Sequence, residues 1–258
     1  MPDLVEIRVD GPVAILTLCN PPLNVVNLAL TRDLNRHLDG IAQDTAVRAV
    51  IITGQGERAF CAGSDVSEFK DMTLPGQVVE KKLLFQNAVF RKLESLRQPT
   101  IAAINGLAYG GGLEIALCCD LLVMDEKSRL ALPEIKLGVF PSSGGTFRLT
   151  RKIGAARAKE MIFLGEPIDA ETALRYGLVN RIARPGASLR AAVELAHKLS
   201  IGPRRALALA KALINDAFNS PTSELIEKSL AASDQAFTSP ECREGVRAFF
   251  AKEPAKFD

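Results

Sequence analysis

Three short runs constrain the fold of this chain more than any other feature. Residues 49–53 (Ala-Val-Ile-Ile-Thr), 100–105 (Thr-Ile-Ala-Ala-Ile-Asn) and 120–125 (Asp-Leu-Leu-Val-Met-Asp) carry apolar side chains at successive positions. A strand formed there presents an apolar surface on both faces and has to be covered on both, as in a parallel sheet flanked by helices. Each run is also too short for a helix and is bounded by polar or glycine residues. Around them the period changes: Leu30, Leu34, Leu38 and Ile41, ahead of the first run, fall on one face of a helix, and residues 113–119, between the second and third, form an apolar helical stretch. Strands alternating with helices give an α/β architecture with right-handed crossovers. A further β-prone run, 13–18, stops ahead of Pro21 and Pro22, which cannot donate to a ladder.

From about residue 187 the strand signals cease. Gly202-Pro203, Ser220-Pro221 and Ser239-Pro240 each read as a helix start, the serines as N-caps with proline in the first turn. The chain therefore divides into an α/β core, 1–186, and a region of four helices, 187–258. Apolar Leu225, Leu230, Phe249 and Phe250 suit either closure of the core or contact with another subunit.

Composition removes several function classes. The 32 basic and 30 acidic residues are spread evenly and leave a net charge of +2, so there is no nucleic-acid footprint. Cys19, Cys61, Cys118, Cys119 and Cys242 are odd in number, form no CxxC pair and have only His37 and His197 to help them. No zinc site or disulfide framework is expected, and a reducing compartment fits. The charged N-terminal segment has no secretory core, and no apolar run reaches membrane-spanning length. A soluble, cytoplasmic protein without a bound metal is the expectation.

The chemistry concentrates around residues 104–114. A strand ends near Asn105, the chain turns at Gly106, and Gly110, Gly111 and Gly112 lead into a helix. Three glycines at a helix start carry a stability cost that a plain connector would not bear. They let a ligand approach the backbone, with free N–H groups and the positive helix end aimed at it. An oxygen gaining negative charge suits that setting. A nucleotide-phosphate loop is the competing reading, but Ile115 stands where the dinucleotide fingerprint wants its third glycine, and no GKS or GKT occurs. The loop 57–66 follows a buried strand in the same way, and Cys61, Ala62, Gly63 and Ser64 leave its backbone accessible for a second donor. Two carboxylates stand out beside these loops. Glu114 sits on an otherwise apolar helix, and Glu134 follows Pro133. Lining one pocket they would repel each other and raise at least one pKa, so that one could donate a proton while the other accepts one.

At this point the residues resemble a known family. Residues 59–66 (AFCAGSDV), 105–114 (NGLAYGGGLE) and 132–146 (LPEIKLGVFPSSGGT) are similar to the enoyl-CoA hydratase/isomerase, or crotonase, family. The likeness continues through 165–170, 173–180 and 244–249, in order and over nearly the whole chain. It implies a crotonase-like spiral of ββα turns followed by a C-terminal helical trimerisation region, assembled as a trimer or a dimer of trimers. It also implies an acyl-CoA thioester substrate, so that coenzyme A belongs to the substrate and no separate cofactor is needed.

By motif position, the thioester oxygen would lie between the backbone N–H groups of Ser64 and Gly111, with Ala62, Gly63, Asp65, Val66 and Gly110 around the substrate. Glu114 and Glu134 would hold a water between them, the first activating it for attack at C3, the second delivering a proton to C2. Both glutamates present favour hydration of a 2-enoyl-CoA. Double-bond isomerisation or other enolate chemistry is the alternative within the family, and a non-enzymatic thioester- or RNA-binding member is the reading outside it. Ser67 occupies a position where the family often places a basic residue toward the coenzyme-A phosphates. Phe147 replaces a more usual glutamine, Arg148 reads as structural, and residues 69–87 are expected to border the acyl chain.

Overall fold

A computed structural model describes residues 3–257 of the chain. Strands β1 (Val5–Asp10) and β2 (Val13–Leu18) form an antiparallel hairpin. From β2 the sheet continues in parallel through β3 (Ala49–Gly54), β5 (Thr100–Ile104), β7 (Leu121–Asp125) and β9 (Arg181–Ala183). The intervening strands β4 (Ala59–Cys61), β6 (Leu107–Tyr109) and β8 (Leu130–Ala131) pair with one another in a second, three-stranded parallel sheet. The chain thus steps from the large sheet to the small one and back, and each ββ step is followed by helical structure. That is the spiral of ββα turns the sequence motifs imply. Asn105 ties one corner: its side chain accepts from the Gly54 N–H at 3.1 Å and donates to the Gly54 and Gly56 carbonyls at 2.8 and 2.6 Å.

The alternation of the central strands is visible in what they touch. Val50, Ile52, Ala102, Ile104, Leu122 and Met124 point into the main core, with Leu30, Leu34 and Leu38 of α1 (Leu28–Gln43) and Val89, Phe90 and Leu93 of α2 (Leu84–Glu94). Ala49, Ile51, Ile101, Ala103 and Val123 point the other way, against Ala192, Leu195 and Ala196 of α7 (Ser188–Ser200). Every residue of β3 and β5 is buried, as strands covered on both faces must be. Between β6 and β7 runs α3 (Gly111–Leu117), buried along its whole length. Helices α4 (Gly145–Ile153), α5 (Ala155–Leu164) and α6 (Ala170–Arg175) follow β8.

The last strand ends at Ala183, near the expected change of character at 187, yet α7 is bound to the sheet. The helices without a buried face start later, with α8 (Arg204–Asp216) and α9 (Thr222–Phe237), followed by α10 (Pro240–Ala251). Ser239 caps α10 as expected, accepting from the Cys242 N–H at 3.1 Å. Ser220 does not cap α9. That helix begins one residue later, behind Pro221, and the Ser220 hydroxyl bonds to Asp216 and Glu224 instead. No helix of the described residues is long and apolar enough to cross a membrane.

Candidate active site

The glycine run is shaped by sterics. Gly110 has φ 48° and ψ −125°, a conformation open to glycine and strained for other residues. Its N–H donates to the Ala131 carbonyl at 2.9 Å, and its own carbonyl accepts from Glu114 N–H at 2.9 Å, closing the first turn of α3. A Cβ on Gly112 would lie 2.1 Å from the Cys61 carbonyl oxygen, so the start of α3 rests directly on β4. This contact brings Gly111 beside the loop that leaves β4. A Cβ at Gly111 would lie 3.1 Å from the Ser64 Oγ and 3.6 Å from the Ser64 nitrogen. Among the described residues, neither the Ser64 nor the Gly111 N–H donates a hydrogen bond within the chain. Both are available to a ligand.

The Ser64 loop is held from a distance. Val26 forms a short parallel bridge with it: its N–H donates to the Gly63 carbonyl and its carbonyl accepts from the Asp65 N–H, both at 2.8 Å. Ala62 donates to the Leu23 carbonyl at 3.0 Å. The Asp65 carboxylate is occupied by the Ser67 hydroxyl and N–H, at 2.6 and 3.0 Å, which hold it below the usual carboxylate range. Val66 is exposed.

Glu114 is buried, and its Oε1 accepts two backbone N–H groups, from Ser143 and Gly145, each at 2.8 Å. Burial pushes its pKa up to about 7, the two amides pull it back, and the charge of Glu134 adds to the rise. Glu134 lies in the 3-10 turn Pro133–Leu137, with Oε1 3.0 Å from the place a Gly110 Cβ would take. Its Oε2 is buried with no partner among the described residues, and burial pushes its pKa up to about 7 as well. Two carboxyls near neutrality thus stand beside two free N–H donors. Gly63 and Gly110 join the same cluster, the Gly63 Cα lying 3.7 Å from a Cβ built on Gly110.

Other groups at this site are less visible in the sequence. The Ser143 and Gly145 amides fix Glu114, and they belong to the Ser-Ser-Gly-Gly run at the end of the 132–146 motif, whose residues carry no sequence signal of a role at Glu114. Ser143 is itself held by Gln86, which donates to its hydroxyl at 2.8 Å, and by Arg148, which donates to its carbonyl at 3.0 Å and to Glu94 at 2.8 Å. Arg148 is therefore a buried strut, in keeping with its structural reading. Phe147 is exposed, with the Arg148 guanidinium 4.9 Å from its ring centroid. In the stretch 69–87, Leu74, Leu84 and Phe85 are exposed, while Lys82 and Gln86 are buried. The exposed apolar side chains of this stretch thus lie outside the core.

The comparisons with known proteins give the family. The family model described as enoyl-CoA hydratase/isomerase matches residues 8–258. This chain belongs to the enoyl-CoA hydratase/isomerase family. It is 38% identical to the short-chain-enoyl-CoA hydratase of Clostridium acetobutylicum, over 94% of this chain and 93% of that one. It is 35% identical to the mitochondrial enoyl-CoA hydratase of Pongo abelii, over 97% of this chain and 82% of that protein. Among solved structures, the enoyl-CoA hydratase of Bacillus anthracis superposes with a TM-score of 0.92 at 33% identity, over 98% of each chain. DspI of Pseudomonas aeruginosa reaches 0.94 at 32% identity, over 100% of this chain and 97% of that one. The fold is that of the crotonase family.

Proposed function

We propose that this enzyme adds water across the 2,3 double bond of a 2-enoyl-CoA thioester. The observation that carries the reading is the pair of carboxyls, both raised to about 7, next to the unengaged Ser64 and Gly111 N–H groups. Two carboxyls that repel each other near neutral pH favour a state with one proton between them. In that state one acts as base and the other as acid. Glu114, fixed through Oε1, takes a proton from water as its oxygen attacks C3. The electron pair of the double bond moves onto the thioester, and the enolate oxygen rests on the two N–H groups. Donors set in place before reaction stabilise such an oxyanion without reorganisation. Glu134, whose Oε2 has no partner among the described residues, gives its proton to C2. The product is a 3-hydroxyacyl-CoA, and coenzyme A serves as the handle of the substrate.

Mixing the purified protein with crotonyl-CoA tests this directly. The conjugated enoyl thioester absorbance is expected to fall as water adds. No fall with short or long 2-enoyl-CoAs would overturn hydration. Conversion of a 3-enoyl-CoA into a 2-enoyl-CoA under the same conditions would instead favour isomerisation, which needs proton transfer but no water.

Self-association belongs to the same reading. Ile214, Leu230, Phe237, Phe249 and Phe250 lie exposed on α8, α9 and α10, and Phe218 on the turn between α8 and α9, more apolar surface than a free helical tail keeps in water. We infer a trimer or a dimer of trimers, to be measured as the mass in solution by light scattering. A monomer at micromolar concentration would refute it.

A further inference from the structure

We infer that Lys82 is a positioning residue for the Ser64 N–H, acting through the carbonyl of Val26. The inference rests on the reading of that N–H as an oxyanion donor. Lys82 is 1% exposed, a placement lysine almost never takes unless paired. It lies in the π-helical turn Val79–Leu83 that leads into α2, a rare backbone insertion that often marks functional sites. Its Nζ donates to the Glu68 Oε2 at 2.5 Å and reaches the Val26 carbonyl at 3.5 Å. The other carboxylate oxygen of Glu68, Oε1, accepts from the Leu28 N–H at 2.9 Å. The Phe69 ring stands 5.5 Å from the ammonium on a further side.

One ion pair therefore grips the chain at both ends of the three residues from Val26 to Leu28. Val26 is the residue whose N–H and carbonyl bracket Ser64, through Gly63 and Asp65. Its carbonyl is shared between the Asp65 N–H and the Lys82 ammonium, so the lysine sets where the bridge lies and which way the intervening Ser64 N–H points. A buried ion pair is a poor source of stability, because well-packed apolar side chains of the same volume often do as well or better. Orientation is what a charged clamp supplies and an apolar pair does not. Among the described residues its ammonium meets Val26, Glu68 and Phe69, so it acts on the donor loop.

The test uses the full-length enzyme with a push–pull aryl enoyl-CoA, whose absorption moves to the red when its thioester oxygen is polarised. Lys82→Met is expected to lower kcat about 10- to 100-fold while KM stays within about threefold, the effect of a displaced but present donor. The red shift of the bound probe should shrink in parallel. Lys82→Met leaves Glu68 unpaired, so Lys82→Met with Glu68→Gln is the second variant; it has no buried charge and keeps an acceptor for the Leu28 N–H. It should fold and show the same smaller shift. A wild-type red shift in both variants would overturn the inference, whatever happens to kcat, and so would loss of folding in both, since the pair would then hold the fold. Absence of any red shift in the wild-type enzyme would refute the donor reading of Ser64 itself, a separate failure.

Discussion

The two loops that meet across the site are held by opposite means. The turn from Tyr109 into α3 is dictated by its own atoms and one close approach: Gly110 at positive φ, and Gly112 with no room for a Cβ against Cys61. The loop from Ala62 to Val66 has only Gly63 at positive φ. It is otherwise set by Val26 and Lys82, brought from elsewhere in the chain, and by Glu68 of the turn that follows it. A donor placed by sterics tolerates almost no local change, whereas a donor placed by a bridge is sensitive to its remote supports and indifferent to its own side chain.

The largest effect should come from the steric side. Gly112→Val puts a branched side chain where even a Cβ would stand 2.1 Å from a backbone oxygen. Either α3 lifts off β4 or the strand is displaced, and overpacking of this kind costs several kcal/mol. We expect no folded, active enzyme, judged by circular dichroism and by turnover of crotonyl-CoA. A soluble variant with more than about a tenth of normal kcat would show that α3 can shift without losing its donor, and the contrast between the loops would collapse.

Next in size are the carboxylates, which divide along the same line. Glu114 rides on the steric turn with its Oε1 fixed by two amides, and Glu134 has an unpartnered oxygen. Glu114→Gln and Glu134→Gln should each lower kcat about 10²- to 10⁴-fold, the usual range for a lost general acid or base. The glutamine at 114 still offers an oxygen to Ser143 and Gly145, so the fold should survive. Both pKa values near 7 predict a bell-shaped dependence of kcat/KM on pH, with its maximum close to neutrality and apparent pKa values that belong to the pair. A flat profile from about pH 5 to 9 would mean that this pair does not carry the protons.

Stability should move in the other direction, and by less. Glu114 holds its proton more tightly in the folded chain than in the unfolded one, at about 7 against its ordinary 4.5. Its favourable contribution is therefore complete at low pH and is lost as pH rises from 4.5 through about 7. Above that window the buried charge strains the fold. Glu114→Gln removes the strain and should stabilise the protein by about 1–3 kcal/mol near pH 8.5, with little gain near pH 5. Urea unfolding at the two pH values measures it. Equal gains at both would assign the effect to packing and remove the charge from the account.

The same contrast governs what could be read from the chain before its structure. The central strands were legible because burial on both faces leaves an uninterrupted apolar run, and the glycine turn because three adjacent glycines are expensive. Strand β1 was not named, although Val5, Ile7 and Val9 alternate with Glu6, Arg8 and Asp10; beyond Val5 its residues are all exposed, so that alternation marks no buried face. The attachment of α7 to the sheet was missed because a helix facing a core and a helix facing a partner have the same period. Ser220 misled because Ser-Pro fits an N-cap wherever it occurs, and nothing local says the helix will start one residue later. Lys82 was invisible: next to Lys81 and Glu80 it reads as solvated surface, and only the fold brings it to Glu68 and Val26. The roles of Ser64 and Gly111 came from the family resemblance. In the fold both N–H groups are unengaged among the described residues, and the Ser64 nitrogen lies 3.6 Å from the place a Gly111 Cβ would take.

The smallest effect is the sharpest test of the bridged loop. If Ser64 serves through its N–H, its hydroxyl is dispensable, and that hydroxyl makes no hydrogen bond among the described residues while lying 3.1 Å from the place a Gly111 Cβ would take. Val26 grips the loop at Gly63 and Asp65, so Ser64→Ala leaves both bridging bonds in place. Removing one unpaired oxygen at the rim of the site should change kcat and KM by less than about threefold, well under the 10²- to 10³-fold cost of losing an oxyanion donor. The red shift of the bound push–pull enoyl-CoA should remain at its wild-type value. A large loss of kcat with an unchanged shift would mean that the hydroxyl itself takes part, in placing the water or the acyl chain. A loss of both would mean that the loop depends on its own side chain after all, and that the remote bridge is not what aims the donor.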